Sequence, residues 1–250
     1  MISKAQISFV TSLQQKKYRK QHQLFVVEGY KSIVEFIQSP LYAVRQIYCT
    51  AKFSAKIDKI SGNIKYEEIS ETDLKKISSL KTPQGVLALV EIPESRPVAL
   101  GALNGEYTFV LDDLQDPGNL GTIIRTLDWF GFNKIICSLE TVEAYNPKVV
   151  QASMGSLSRV SVMYEDLQDL YKRVDGLPIY ATALNGSSIY QDTWAAPGLI
   201  VLGNEGQGIS EVSLEASTTK INIPKLGQAE SLNVAIATTV FCSEIARKKL

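Results

Sequence analysis

The chain has 250 residues, 45% of them hydrophobic, with 26 Lys+Arg against 26 Asp+Glu and so a formal net charge of zero. That apolar fraction supports a buried core and excludes general disorder, and the length allows one or two domains. No run approaches the roughly 18–20 continuous apolar residues of a membrane span, and the first residues lack the apolar core of a secretory signal. The three cysteines, Cys49, Cys137 and Cys242, are scattered, with no Cys-x-x-Cys pair, which argues against a disulfide framework or a zinc cage and for a reducing cytoplasm.

Along the chain, residues 3–20 are predicted as one helix ending in Lys16-Lys17-Tyr18-Arg19-Lys20. A strand follows at 24–27, then Glu28-Gly29 turning into a helix that ends before Pro40. Strands at 44–49, 67–69 and 85–90 alternate with helices at 52–60 and 71–80, the pattern of a small α/β domain over 1–93. Pro93, Pro97, Gly101 and Gly105 give the composition of a linker over 94–105.

The alternation repeats over 106–250. The predicted strands are 107–111, 134–137, 159–162, 179–183, 199–202 and 221–223. The predicted helices are 120–130, capped by Asn119 and stopped by Gly131, then 147–157, 166–174 and 231–249, the last capped by Ser231. Continuous apolar strands between helices predict an α/β domain with a mostly parallel sheet. Ligands of such sheets bind beyond the carboxyl ends of the strands.

The neutral total conceals a division. Residues 1–93 carry 14 Lys+Arg and 8 Asp+Glu, whereas residues 94–250 carry 12 and 18. Lys16, Lys17, Arg19 and Lys20 surround Tyr18, and no acid precedes Glu28. Cations around an aromatic suit phosphate contact with base stacking, so Lys16, Lys17, Arg19 and Lys20 are the expected contacts of a polyanionic partner. Taken alone, the five residues are explained more simply by a solvated helix face, so the cluster needs support from elsewhere.

Three loops, each after a predicted strand, concentrate polar and glycine residues. The first runs from Asp112 through Asn119 and Gly121 to Arg125 and Thr126. The second is Gly203-Asn204-Glu205-Gly206-Gln207-Gly208, with three glycines that permit tight backbone approach. It lacks the Gly-Lys-Ser/Thr ending of a phosphate loop and the spacing of a dinucleotide fingerprint. The third passes Ile223-Pro224 to Ser231-Leu232-Asn233. His22 is the sole histidine and lies outside all three, so a Ser–His nucleophile and a histidine metal site are not expected.

Taken together, Asn119-x-Gly121-x-x-x-Arg125-Thr126, Gly203-Asn204-Glu205-Gly206-x-Gly208-Ile209 and Ile223-Pro224 leading to Ser231-Leu232-Asn233-Val234-Ala235 resemble the three motifs of the SpoU (TrmH-like) RNA ribose 2′-O-methyltransferases of the SPOUT superfamily. Residues 20–90 more loosely resemble the RNA-binding domain that precedes the catalytic domain in many members. The resemblance implies a trefoil-knotted C-terminal domain, a homodimer, S-adenosylmethionine as cofactor and no metal. It implies catalytic roles for Arg125, Asn119, Glu205, Ser231 and Asn233. It implies a cofactor pocket built from Gly203, Ile223 and Leu232, with Thr182, Ala183, Asn204, Gly206, Gly208 and Pro224 nearby.

The resemblance implies that Arg125 is the central catalytic residue and a suggested base. A guanidinium resists deprotonation, so holding the target phosphate and steadying a developing alkoxide is the other role open to it. The implied substrate is RNA, of the 23S ribosomal type or alternatively tRNA. From another class, a non-catalytic RNA-binding or ribosome-assembly protein would share the fold but not need all five polar residues.

Overall fold

The computed structural model describes residues 2–95, 97–174, 176–191, 194 and 196–249, so Arg96 of the predicted linker lies outside the described residues. The chain divides into two compact units, one of Met1–Glu94 with Glu143–Arg159 and one of Ser95–Val142 with Val160–Leu250.

In the first unit, α1 (Lys4–Ser12) and α2 (Lys16–His22) precede β1 (Leu24–Glu28), α3 (Tyr30–Gln38), β2 (Val44–Cys49), α4 (Ala51–Ser61), β3 (Lys65–Glu68), α5 (Glu71–Ile77) and β4 (Val86–Glu91). The sheet order is β1-β4-β2-β3. β4 runs antiparallel to β1 and β2, and β3 runs parallel to β2. Val10, Leu13, Tyr48, Leu74, Ile77 and Leu87 pack as one apolar cluster beneath the helices. The unit also holds α7 (Pro147–Ala152), whose segment places the Tyr145 ring 4.9 Å from that of Phe25.

The single helix predicted over 3–20 is two helices, and the break has a cause. Ser3 and Gln6 form a reciprocal cap that starts α1. At its end, Arg19 Nη1 donates to the carbonyls of Leu13 and Gln14 at 2.9 and 2.8 Å, supplying donors where the helical ladder stops. The rest of the guanidinium reaches Glu143, Nη2 to Oε2 at 2.6 Å. Arg19 is therefore only 2% exposed, which corrects its assignment as an RNA contact: its donors are committed inside the unit. Lys16, Lys17 and Lys20 are exposed.

In the second unit, β5 (Thr108–Leu111), α6 (Pro117–Trp129), β6 (Lys134–Cys137), β7 (Ser161–Tyr164), α8 (Leu167–Arg173), β8 (Ile179–Ser188), β9 (Leu199–Leu202), α9 (Glu211–Ala216), β10 (Thr219–Asn222) and α10 (Val234–Lys249) build a sheet of order β10-β8-β9-β5-β6-β7. Every neighbouring pair is parallel. β5 and β9 are buried along their whole length, the pattern that their continuous apolar runs predict. Beyond β5 the chain builds outward through β6 and β7, then returns to the other side through β8 and β9. The switch point is between β5 and β9, where ligands of open parallel sheets bind.

β8 extends five residues past its predicted end. Its register with β10 jumps, from Lys220 opposite Ala181 to Ile221 opposite Ser187, and so the intervening residues, Thr182 to Gly186, bulge out. Among the described residues, no helix is long and apolar enough to cross a membrane.

Candidate active site

The site starts with the entry to α6. Asp116, not Asn119, is the N-cap: its Oδ1 accepts from the Asn119 amide at 2.7 Å, and Pro117 follows as the first helical residue. Asp-Pro at a helix start is a sequence signal for this arrangement. With Asp116 as the cap, Asn119 sits in the first turn and its side chain turns to the other loops rather than to its own helix. Its Nδ2 donates to Glu205 Oε1 at 3.0 Å, and its Oδ1 accepts from Asn233 Nδ2 at 3.0 Å.

Asn233 is in turn the N-cap of α10. Its Oδ1 accepts from the amides of Ala235 and Ile236 at 2.9 and 3.3 Å. This displaces Ser231 from the predicted capping role, and the closing helix starts three residues later than its sequence pattern suggests. Ser231 is exposed. Thus Glu205, Asn119 and Asn233, one from each of the three loops, form a continuous hydrogen-bonded chain.

The glycine loop is held rigidly behind Glu205. Asn204 and Gly208 exchange backbone hydrogen bonds of 2.8 and 2.9 Å, with Gly208 at φ +76°. Gly203 is a close-approach position: a Cβ there would lie 2.2 Å from the Gly208 carbonyl carbon. Asn204 Oδ1 accepts from the amides of Gly206 and Gln207, while its Nδ2 donates to the Asp113 carbonyl at 2.8 Å. That last bond ties the loop after β9 to the loop after β5. Asp112 Oδ2 adds a second tie by accepting from the Ser210 amide at 2.9 Å. Asp113 and Asp116, absent from the expected site, are thus part of its frame, with Asp113 at φ +60°.

Arg125 lies six positions past Asn119 on α6. It is exposed, and among the described residues its guanidinium makes no ion pair or hydrogen bond. The remaining expected cofactor residues gather at the ends of neighbouring strands. Thr182 and Ala183 are half-buried in the β8 bulge, with Thr182 Oγ1 donating to the Val201 carbonyl of β9 at 2.9 Å. Ile223 and Pro224 are half-buried just beyond β10, and Leu232 is exposed beside Asn233. Next to Ile223, Asn222 Oδ1 is buried without a partner among the described residues, an acceptor available to a ligand. No group of three His, Cys, Asp or Glu side chains among the described residues is placed to hold a metal ion.

Comparison with known proteins fits this geometry. The SpoU rRNA Methylase family model matches residues 106–243, the span that carries all three loops. The chain belongs to the SpoU rRNA methylase family. As a member it is an RNA methyltransferase. A second model, the MRM3-like substrate binding domain, matches residues 4–88. The 23S rRNA (guanosine(2553)-2′-O)-methyltransferase RlmP of Bacillus subtilis is 30% identical over 231 residues, covering 91% of this chain and 90% of the relative. A TrmH-family structure from Porphyromonas gingivalis has 38% identity and a TM-score of 0.87, with 99% of each chain covered. An AdoMet-bound rRNA methyltransferase from Sinorhizobium meliloti has 28% identity and a TM-score of 0.87, covering 100% of this chain and 97% of that one. The SpoU resemblance of the sequence motifs and the parallel α/β fold are both borne out.

Proposed function

We propose that this SpoU-family protein transfers a methyl group from S-adenosylmethionine to a ribose 2′-hydroxyl of RNA, with ribosomal RNA of the 23S type as substrate. The observation that carries the reading is the Glu205–Asn119–Asn233 chain, which joins all three motifs at the sheet's switch point. The name of the Bacillus subtilis relative supports the 23S assignment. A Synechocystis relative, 30% identical, is named as an uncharacterized tRNA/rRNA methyltransferase, which keeps tRNA as the second substrate class to be assayed.

The residues fit the cofactor. Gly203, Gly206 and Gly208 offer close backbone, Ile223, Pro224 and Leu232 an apolar surface for an adenine, and Asn222 Oδ1 an unused acceptor. Thr182, Ala183 and Asn204 shape the neighbouring walls. When bound, S-adenosylmethionine supplies a methyl group on a sulfonium whose charge vanishes on transfer, so the protein's tasks are in-line placement and management of the hydroxyl proton. Arg125, whose guanidinium has no partner among the described residues, holds the target phosphate and steadies the developing alkoxide. Asn119 positions the ribose, with its amide oriented by Glu205 and Asn233. Ser231 contacts the RNA. Lys16, Lys17 and Lys20 contact RNA phosphates.

The finer expectations fit the same reading. On this reading the C-terminal domain is threaded as a trefoil knot. The protein works as a homodimer, consistent with Trp129 on α6 being 84% exposed and Ile236 on α10 being 51% exposed, large apolar side chains on two helices that pack together. It acts in the cytoplasm, in keeping with three buried free thiols.

Arg125→Ala tests the assignment. Methyl transfer should fall by about a hundredfold or more, the usual cost of removing one charge-stabilising donor. Calorimetry should show S-adenosylmethionine binding unchanged. Near-normal turnover in that variant would overturn the role of Arg125, and failure of the unaltered protein to mark 23S rRNA or tRNA, read by mass-spectrometric mapping of 2′-O-methyl groups, would overturn the function.

A further inference from the structure

The burial of Arg19 leaves open where the first unit grips RNA. A cavity of about 390 Å³ lies in that unit between the start of α4 and the 78–85 loop, within the size range of ligand pockets. Lys52, Phe53, Lys75 and Gln84 are in its lining, and Glu71 is the one acid there. The Phe53 ring stands 5.9 Å from that of Tyr30, tilted by 32°, and Lys56 Nζ lies 5.7 Å from both ring centres. Among the described residues, none of Lys52, Lys56 and Lys75 forms an ion pair, and all three are exposed.

The loop that closes the cavity is pre-shaped. The buried Glu28 carboxylate accepts from the Ser79 amide at 2.8 Å and its hydroxyl at 2.7 Å, and also from the Ser78 hydroxyl. Gly85, at φ +83°, has no side chain where the Phe53 ring packs: a Cβ there would fall 2.4 Å from Phe53 Cε2. An aromatic platform flanked by unpaired cations, beside a rigid cavity of nucleotide dimensions, has the chemistry by which proteins take up unstacked RNA bases. A protein partner would need a larger apolar surface than these half-buried rings provide.

We propose that this cavity binds one unpaired nucleotide of the substrate RNA, with its base stacked against Phe53, whose ring Tyr30 supports from outside the cavity, the Gln84 amide at the base edge, and Lys52, Lys75 and the neighbouring Lys56 on the flanking phosphates. The proposal rests on RNA being the substrate, as argued above, and adds a second place, besides Lys16, Lys17 and Lys20, where the first unit holds it.

The test uses the full chain and deproteinised 23S rRNA in filter binding across a salt series. The triple variant K52A/K56A/K75A should bind about tenfold more weakly, and its log affinity should fall less steeply with log salt, by about 2, as expected for three lost single-strand phosphate contacts. F53L keeps the lysines and most of the bulk. It should bind about tenfold more weakly with the salt slope unchanged. Wild-type affinity and slope in the triple variant would overturn the site, and wild-type affinity in F53L would overturn the stacking. Methylation scored in parallel separates this from the enzymatic reading. An unaltered protein that methylates 23S rRNA, while the triple variant binds it equally well, overturns the site and keeps the enzyme. An unaltered protein that binds without methylating, while the triple variant loses binding, supports the site and counts against the activity.

Discussion

Removing the Arg19 guanidinium leaves Glu143 without its partner and the carbonyls of Leu13 and Gln14 without two of their donors. Breaking a largely buried pair from one side costs far more than an exposed one, because the remaining Glu143 carboxylate, 16% exposed, stays mostly out of solvent without a counter-charge. Arg19→Met, which preserves the apolar stem, should lower unfolding free energy by about 3 kcal/mol in urea titration. Arg19→Lys should recover little of this, since one ammonium cannot serve acceptors in two directions. A loss below about 0.5 kcal/mol, the scale of an exposed pair, would show that the pair is not structural. The sequence placed Arg19 in a run with Lys16, Lys17 and Lys20, and its partner is 124 positions away, so no local pattern could reveal the difference. Asn119, Glu205 and Asn233 were legible because motif spacing, not local propensity, marked them. Their mutual contacts, over 86 and 114 positions, were not.

At the scale of elements, caps decide what the first turns present. Asp116 takes the cap of α6 and so releases Asn119, and Asn233 takes the cap of α10 while its amide nitrogen reaches Asn119. Asp116→Ala should cost about 1 kcal/mol of stability as a lost N-cap. Methyl transfer should fall by a larger factor than that loss explains, because the turn that aims Asn119 loses its anchor. Asp116→Asn, an equally good cap, should restore both. Normal transfer by Asp116→Ala in a steady-state assay would separate the cap from the chemistry. The buried strands β5, β6 and β9 were well marked by continuous apolar runs, whereas the polar β3 and the far half of β8 carry no such run. The starts of α6 and α10 were not well marked, since Asp116 and Asn119, or Ser231 and Asn233, compete as caps and only tertiary partners choose between them. α9, six residues capped by Ser210, is too short for a helical period to register.

At the scale of the whole molecule, the sequence division near Pro93 and the two compact units differ in one segment. Glu143–Arg159 belongs with the first unit, although the chain on both sides of it lies in the second. Counted by unit, the charge asymmetry persists, with 16 Lys+Arg to 10 Asp+Glu in the first and 10 to 16 in the second. Strand–helix alternation foretold a parallel sheet, but neither the order β10-β8-β9-β5-β6-β7 nor the excursion leaves a local trace, because both depend on which distant surfaces meet. Hydrogen exchange can test whether the excursion is energetic as well as spatial. The Val150 and Ser153 amides donate within the segment, Val27 lies in β1 and Ile136 in β6. Leu74→Ala hollows the first unit's apolar cluster without touching the segment's own contacts, at a cost of about 2–5 kcal/mol. Under native-state exchange in urea, protection at Val150 and Ser153 should fall with that at Val27, by a similar amount, while Ile136 holds its value. If Val150 and Ser153 instead keep the protection of Ile136, the segment is energetically part of the second unit, and its packing against Phe25 and Arg19 is a contact that follows folding rather than one that joins it.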